Sequence, residues 1–327
     1  MNYNLVTEHW MPVLFRNGAV KLLGIKETLL RAHDICHIAA TNPMDRLAVI
    51  RFLLAILYWC KGNPVDMTDT FPPDWFDRLD DDREMFELFG DEVRFCQHRR
   101  RVELKTANYL INELSTGTNH CHFRHTRDNV DGICPACCAM GIIRLPVFAT
   151  QGGRGSSPGI NSKPPVYVVP IGTSLFRTLV YTWKPIDADM GRPFWEYPAM
   201  GKPKGNIPIL LGLTWFGKEL WLEEPTKFGT CANCGKDDHL VMKMTFDGLG
   251  SLDIKNFTWT DPHVIYETKK GERKPQSVPN YLDSPPTAES DWQKIKGNMP
   301  EGNWWLIGFS SEGMKFYDAT ERFARGD

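Results

Sequence analysis

Residues 131–141, "DGICPACCAMG", hold two cysteines with two residues between them, Cys134 and Cys137, and a third, Cys138, directly behind. That gap lets both thiolates of a tight turn point at one ion, while the turn's backbone amides stabilise the sulfur charge. One such pair is half of a metal site. The other half lies in "TCANCGKDDH" (230–239), where Cys231 and Cys234 repeat the gap. Four thiolates make the tetrahedral sulfur shell that Zn²⁺ accepts in closed, structural sites. Residues 138–230, 93 in number, separate the pairs, whereas a compact zinc ribbon needs roughly 15–20. The spacing therefore predicts a long-range structural zinc site that clamps distant segments of one domain, with the glycine-rich stretch held against a later sheet. Two unrelated reduced pairs are the plain alternative. A thioredoxin-like redox role is disfavoured, since neither pair sits between a clear strand and a helix. Cys138 reads as a small buried residue.

The rest of the composition is that of a folded chain. Of 327 residues, 42% are hydrophobic and 24% charged, values that exclude wholesale disorder and fibrous architectures. Thirty-eight Lys and Arg against 40 Asp and Glu give a formal charge of −2, so any polyanion must be met by local patches. The N-terminus lacks a basic lead followed by an apolar run, so no secretory signal is expected. The longest apolar stretch, "LAVIRFLLAILYWC" (47–60), carries Arg51 and is too short to span a bilayer. A cytoplasmic chain with no membrane partner follows as the expectation, its nine cysteines reduced thiols or metal ligands.

Periodicity predicts an α+β fold; length permits one large domain or two ordinary ones, and the long-range cysteine pairing favours one large mixed domain over 1–327 with long ordered loops. "RNG" (16–18) marks a hairpin leading into a helix from about Ile25. "NPMDRLAVIRFLLAILYWCKGNP" (42–64) is a buried helix between two Asn-Pro breaks. The acidic and aromatic run from Thr70 reads as a helix with a solvated charged face. "RVELKTANYLINEL" (101–114) is expected to be another helix. Residues 115–163 read as long ordered loops with no single regular element, and loops of that length tend to be functional. "PPVYVVPIGTSLFRTLVYTW" reads as strand, turn and helix, "NIPILLGLTWFGKELWLEE" as a helix or a strand pair, and 240–268 as sheet. Residues 269–290, charged and rich in Pro and Ser, are expected to be an exposed loop. The end, "NWWLIGFSSEGMKFYDATERF", has the texture of a strand, a turn and a final short element.

Several pieces bear on ligands. "ATQGGRGSSPGINSK" (149–163) places Gly152, Gly153 and Gly155 around Arg154, with Ser156 next. Glycine lets a backbone approach a ligand closely, and Arg154 suits phosphate or a base edge. The segment lacks the GK[ST] of a P-loop, and a flexible surface loop is an equal reading. "HCHFRH" (120–125) sets Phe123 beside Arg124, an aromatic next to a cation that suits stacking on an unpaired base. "QHRRRVELK" (97–105), "GKPKG" and "KKGERK" are basic, each also readable as a solvated patch.

Taken in order, the chain resembles the large subunit of the type I-E CRISPR Cascade complex, the CasA family. The matching residues are "NLVTEHWMPV" with "RNG", "FELFGDEVRFCQ" (86–97), "STGTNHCHF" (115–123), "CPAC", a glycine loop, "CANC", "WTDPHVIYETKKGE" (259–272) and "WWLIGF" (304–309). The resemblance implies a non-catalytic subunit that sits at the 5′ handle of the CRISPR RNA, recognises the protospacer-adjacent motif in double-stranded target DNA from the minor groove and helps start strand separation. It implies that the "HCHF" to "CPAC" stretch, with Phe123, reaches the RNA handle and the other Cascade subunits of the backbone, and that Gly152–Ser156 lies against the motif. A lysine reaching the minor groove falls on Lys243 or Lys255. A polar wedge falls on Ser311, Glu312 and Gly313, with their neighbours Ser310 and Met314, although the turn has no glutamine. Family members continue into a C-terminal helical bundle that this sequence does not contain, which leads to the expectation of a nuclease fused to another subunit.

Two other classes are open to the residues. A zinc-containing nuclease would use His120, His122 or His125 with Asp128 or Asp131, and a zinc-stabilised scaffold would bind protein alone.

Overall fold

The computed structural model describes residues 1–327 apart from 67, 100, 112, 115–131, 149–158, 162–164, 198–201, 250–255, 265, 270–271, 276–301, 313–314 and 326–327. As the turn signal predicts, β1 (Met11–Phe15) and β2 (Val20–Leu23) pair antiparallel around Arg16–Gly18. Gly18 sits at φ +83°, a left-handed value that suits glycine. Helix α1 (Ile25–Leu30) follows, and β3 (Ile35–Ile38) adds to the other edge of β1.

Helix α2 (Pro43–Lys61) organises the core. Its N-cap is Asn42, whose side chain accepts from Met44 N at 2.8 Å, and Pro43 occupies the first turn. Gly62 at φ +80° ends it. Fifteen of its 19 residues are buried, the pattern of a helix surrounded on every side. Short helix α3 (Asp77–Asp81), flanked by 3₁₀ turns, buries Phe76, Leu79 and Phe86. Three short helical pieces replace the longer helix expected there, with most of their charges outward.

Two sequence expectations fail in the middle of the chain. Residues 101–114 are not a helix: β4 (Leu104–Thr106) and a 3₁₀ turn (Ala107–Leu110) stand there, because Leu104–Thr106 is taken up as the edge of a sheet. Helix α4 (Pro135–Arg144) lies inside the stretch read as loop. Its Gly141 allows a close crossing, since a Cβ there would lie 2.7 Å from Leu110 Cβ.

Strand β5 (Tyr167–Ile171) and helix α5 (Leu175–Thr182) match expectation, Ser174 capping the helix. Strand β6 (Gly205–Asn206), helix α6 (Ile209–Thr214) and strand β7 (Lys218–Leu222) combine the two alternatives weighed for that segment. The sheet predicted for 240–268 resolves into β10 (Lys243–Gly248), β11 (Phe257–Thr258) and β12 (Tyr266–Lys269), and two strands that the sequence reading did not predict, β8 (Lys227–Thr230) and β9 (Asp237–Leu240), precede it. Strand β13 (Glu272–Pro275) pairs with β12, so the expected loop at 269–290 begins as a hairpin. The chain closes with the long hairpin β14 (Asn303–Glu312) and β15 (Lys315–Arg325), the final element being an 11-residue strand rather than a short one. The main sheets run β2-β1-β3, β4-β10-β7 and β15-β14-β5, with β8-β9 a separate ribbon.

Two buried ion pairs tie α2 to its surroundings. Arg144 of α4 donates from Nε to Asp45 Oδ1 at 2.7 Å and from Nη1 to Glu113 Oε2 at 2.7 Å. Arg51 donates from Nη1 to Asp261 Oδ1 at 2.5 Å, and Asn161 Nδ2 donates to Asp261 Oδ2 at 3.0 Å. His263 Nδ1 lies 3.3 Å from the same Arg51 nitrogen, which fits a neutral imidazole accepting there. Removing one partner of such a pair strands a buried charge and costs about 3–5 kcal/mol.

Burial pushes His263 down to about 3, with Arg51 adding to the shift and Asp261 opposing it. Between its ordinary value near 6.5 and about 3, the unfolded chain binds a proton on His263 that the folded chain does not, so stability falls as pH falls through this window. Between pH 7 and pH 5, we expect the wild type to lose about 2 kcal/mol more unfolding free energy than His263→Asn in denaturant titrations. Equal losses would mean that folded His263 is protonated at its ordinary value.

Candidate metal centre and nucleic-acid interface

The two cysteine pairs meet. Cys134 is the N-cap of α4, Pro135 follows at the first helical position, and Cys137 lies in the first turn. Cys231 and Cys234 stand in the turn that joins β8 to β9. Gly235 takes φ +75° there, and its N–H closes the turn onto Cys231 O at 3.0 Å. The ligand atoms of all four residues lie within 4.8 Å of one another, and Cys134, Cys137 and Cys231 are buried. A four-sulfur set of this size can hold one metal ion.

The surroundings suit thiolates. Cys134 N donates to Cys231 Sγ at 3.3 Å, and Asn233 Nδ2 donates to Cys137 Sγ at 3.3 Å. Hydrogen bonds among the four sulfurs split the set, holding the Cys231 thiol far below its ordinary value and bringing Cys234 down to about 7 while Cys134 and Cys137 are pushed up, the pattern of a site that shares its protons until an ion displaces them. Backbone pairing joins the two halves as well: Ala232 N donates to Gly132 O at 3.1 Å, and Ile133 and Val241 exchange bonds of 3.1 and 2.9 Å. Gly132, at φ +103°, could not carry a side chain without meeting Met242 Sδ at 2.7 Å. Cys138 is fully buried, and burial pushes its thiol well up, in keeping with a packing residue outside the cluster.

The remaining sequence candidates divide. Lys243 is described: it opens β10, is exposed and lies opposite Thr106 of β4. Ser311 and Glu312 end β14, paired with Phe316 and Lys315 just past a register shift at Ser310. Phe123, Arg124, Gly152, Gly153, Arg154, Gly155, Ser156, Lys255, Gly313 and Met314 lie outside the described residues, as do His120, His122, His125, Asp128 and Asp131.

Sequence reading missed three features. Asn233, inside the second pair, is a hydrogen-bond donor to sulfur, and its position within the turn was the available signal. The partner of Arg51 was also missed, although a charge inside an apolar helix demands one, and "WTDPHV" supplies it through Asp261 and His263. The third is a cation–aromatic stack on β7, where Trp221 lies with the Arg94 guanidinium 4.1 Å and the Arg99 guanidinium 5.5 Å from its ring centre.

Comparison with known proteins gives a consistent picture. The profile of the family described as CRISPR-associated protein Cse1 matches residues 4–284. A curated CasA/Cse1 of Thermus thermophilus is 32% identical over 215 residues, which are 61% of this chain and 43% of that protein. The chain thus spans less than half the length of that relative. Among solved structures, Thermus thermophilus CasA superposes with TM-score 0.75 at 21% identity, covering 99% of this chain and 72% of the other. Cse1 of Acidimicrobium ferrooxidans gives 0.73 at 19%, over 99% and 71%. A chain of a CRISPR RNA-guided surveillance complex gives 0.79 at 18%, over 100% and 76%. At these identities the structural matches speak for the fold, and the profile, covering most of the sequence, carries the assignment: the chain belongs to the CRISPR-associated protein Cse1 family.

Proposed function

We propose that this chain is a non-catalytic subunit of an RNA-guided DNA surveillance complex, recognising a short flanking motif in duplex DNA and contacting the 5′ handle of the guide RNA. The observation that carries the reading is Cse1 family membership, together with a fold match over the whole chain to a component of a CRISPR RNA-guided surveillance complex. In such a division of labour, protein reads the motif and starts strand separation, and guide pairing reads the remaining sequence. Gly152–Ser156 and either Lys243 or Lys255 are assigned to the motif, Phe123 and Arg124 to the RNA, and the turn at Ser311–Gly313 to the wedge. These roles follow the family pattern. Other subunits of the complex are the protein partners, and cleavage is left to another component.

The four-cysteine cluster takes zinc in this reading, held by Cys134, Cys137, Cys231 and Cys234. Sulfur donors, tight spacing and N–H donors aimed at sulfur all fit that ion. Four protein ligands leave no open coordination position for water or substrate, which favours a structural ion over a zinc nuclease. Bound zinc would supply a fixed link between the start of α4 and the β8–β9 ribbon. The stretch assigned to the RNA leads into α4, so its C-terminal anchor is set by this link.

The test is to purify the tagged chain from its native operon and sequence any RNA that comes with it. We expect a small RNA bearing repeat-derived sequence, and its absence would overturn the reading. Gly153→Val with Gly155→Val should weaken the complex on targets carrying the flanking motif while sparing pre-opened DNA. Elemental analysis should find about one zinc per chain, and Cys231→Ser should lose it with a lower unfolding midpoint. Metal-free protein of unchanged midpoint would remove the zinc assignment.

A further inference from the structure

The basic run "QHRRR" acquires a definite place in the fold. His98 N donates to Leu220 O at 3.0 Å, and Leu222 N donates to Gln97 Oε1 at 2.9 Å. Gln97 and His98 therefore lie along the edge of β7 that β10 leaves free. On the β4-β10-β7 sheet, Met244, Phe246, Leu220 and Leu222 are buried. Alternation sends their neighbours Lys243, Thr245 and Trp221 to the other face, where Thr245 stands opposite both Trp221 and Leu104. Leu104 is 42% exposed, so the outer edge of this face is open to solvent, while the Thr245 hydroxyl between Leu104 and Trp221 is buried.

Two arginines meet the Trp221 indole, in different states. Arg94 is a fixed support: its side chain is 8% exposed, it donates to Gly90 O at 2.5 Å and to Leu222 O at 2.6 Å, and it pairs with Glu224 at 3.2 Å. Arg99 is exposed. Among the described residues, Arg99, Arg101 and Lys243 make no ion pair with a carboxylate, while Arg31, Arg46, Arg51, Arg78, Arg94, Arg144, Arg177 and Arg192 all do. Arg99 thus lies against Trp221 without a carboxylate partner among the described residues, as Arg16 and Arg83 stand without one elsewhere, and Lys243 stands on the same face, its backbone bonded to that of Glu223.

Resting on the reading of this chain as a nucleic-acid-binding subunit, we infer that the Trp221 and Arg99 stack, flanked by Arg101 and Lys243, is a binding platform for an unpaired nucleic-acid strand. The occupant follows from the chemistry. A guanidinium beside an indole keeps its charge for phosphate, and both groups are planar surfaces on which a base can stack. A duplex hides its base faces and shows only edges and phosphates, so stacking of this kind is open to a single strand alone. Arg101 and Lys243 extend the positive surface to the neighbouring phosphates. The recognition is tolerant of sequence, because every base has a face to stack.

The experiment is fluorescence anisotropy of the full chain with mixed-sequence single-stranded DNA and with the same sequence as duplex, over a range of salt. Arg99→Ala should weaken single-strand binding about tenfold and reduce the salt slope by about 0.7, the value for one phosphate contact. Arg99→Lys should recover the slope while leaving affinity below wild type. Trp221→Ala should act like Arg99→Ala, and exposed Arg99 serves as the control should the tryptophan variant fold poorly. Single-strand affinity unchanged in Arg99→Ala, full rescue by lysine, or equal losses on duplex would each overturn the inference. The readout is independent of guide RNA: a chain that copurifies with repeat-derived RNA yet shows no Arg99 effect defeats this inference alone, whereas an Arg99 effect without that RNA defeats the functional reading and leaves the platform standing.

Discussion

The meeting of two cysteine pairs across 93 intervening residues is the constraint on which the arrangement depends. One pair opens α4, and the other turns the β8–β9 ribbon. Neither element is self-sufficient. A ten-residue helix is marginal alone, and a two-stranded ribbon needs packing or a tether to persist. Joined through sulfur, and through the Ile133–Val241 bridge beside it, each supplies what the other lacks.

The clamp connects to the core by a second route. Helix α4 carries Arg144, whose buried guanidinium binds Asp45 on α2 and Glu113 on the segment before it. A displacement of the cysteines would therefore strain a buried ion pair as well as the ribbon. Farther along α2, Arg51 binds Asp261 and so reaches the segment that pairs with β5, where His263 O accepts from Val168 N at 2.7 Å. One buried helix thus links the cysteine side of the molecule to the sheet containing β14 and β15. No helix among the described residues is long and apolar enough to cross a membrane, and α2 meets its apolar demand inside the protein.

Much of this was legible in the residues. The "RNG" turn, the Asn-Pro borders of α2 and the CxxC gaps state local chemistry directly, and each led to the right element or cluster. Residues 101–114 misled because their apolar spacing fits a helix, while the edge of β10 competes for Leu104–Thr106 through long-range pairing that no local pattern reveals. Helix α4 was hidden by its cysteines and by Gly141, a helix-weakening residue kept for its close contact with Leu110. The partner of Arg51 lies 210 residues away, and such distances are set by tertiary packing. The stack of Arg99 on Trp221 was invisible for the same reason, since the run and the strand become neighbours only after β7 has found its edge.

The sulfur clamp couples α4 to the β8–β9 ribbon, while α2, with fifteen of its 19 residues buried, is held by its own packing. Amide hydrogen exchange on the intact chain, compared with Cys231→Ser, measures this most directly. Protection should fall together in residues 135–144 and 227–240, with α2 amides little changed. Loss confined to the ribbon, with α4 as protected as before, would contradict the account.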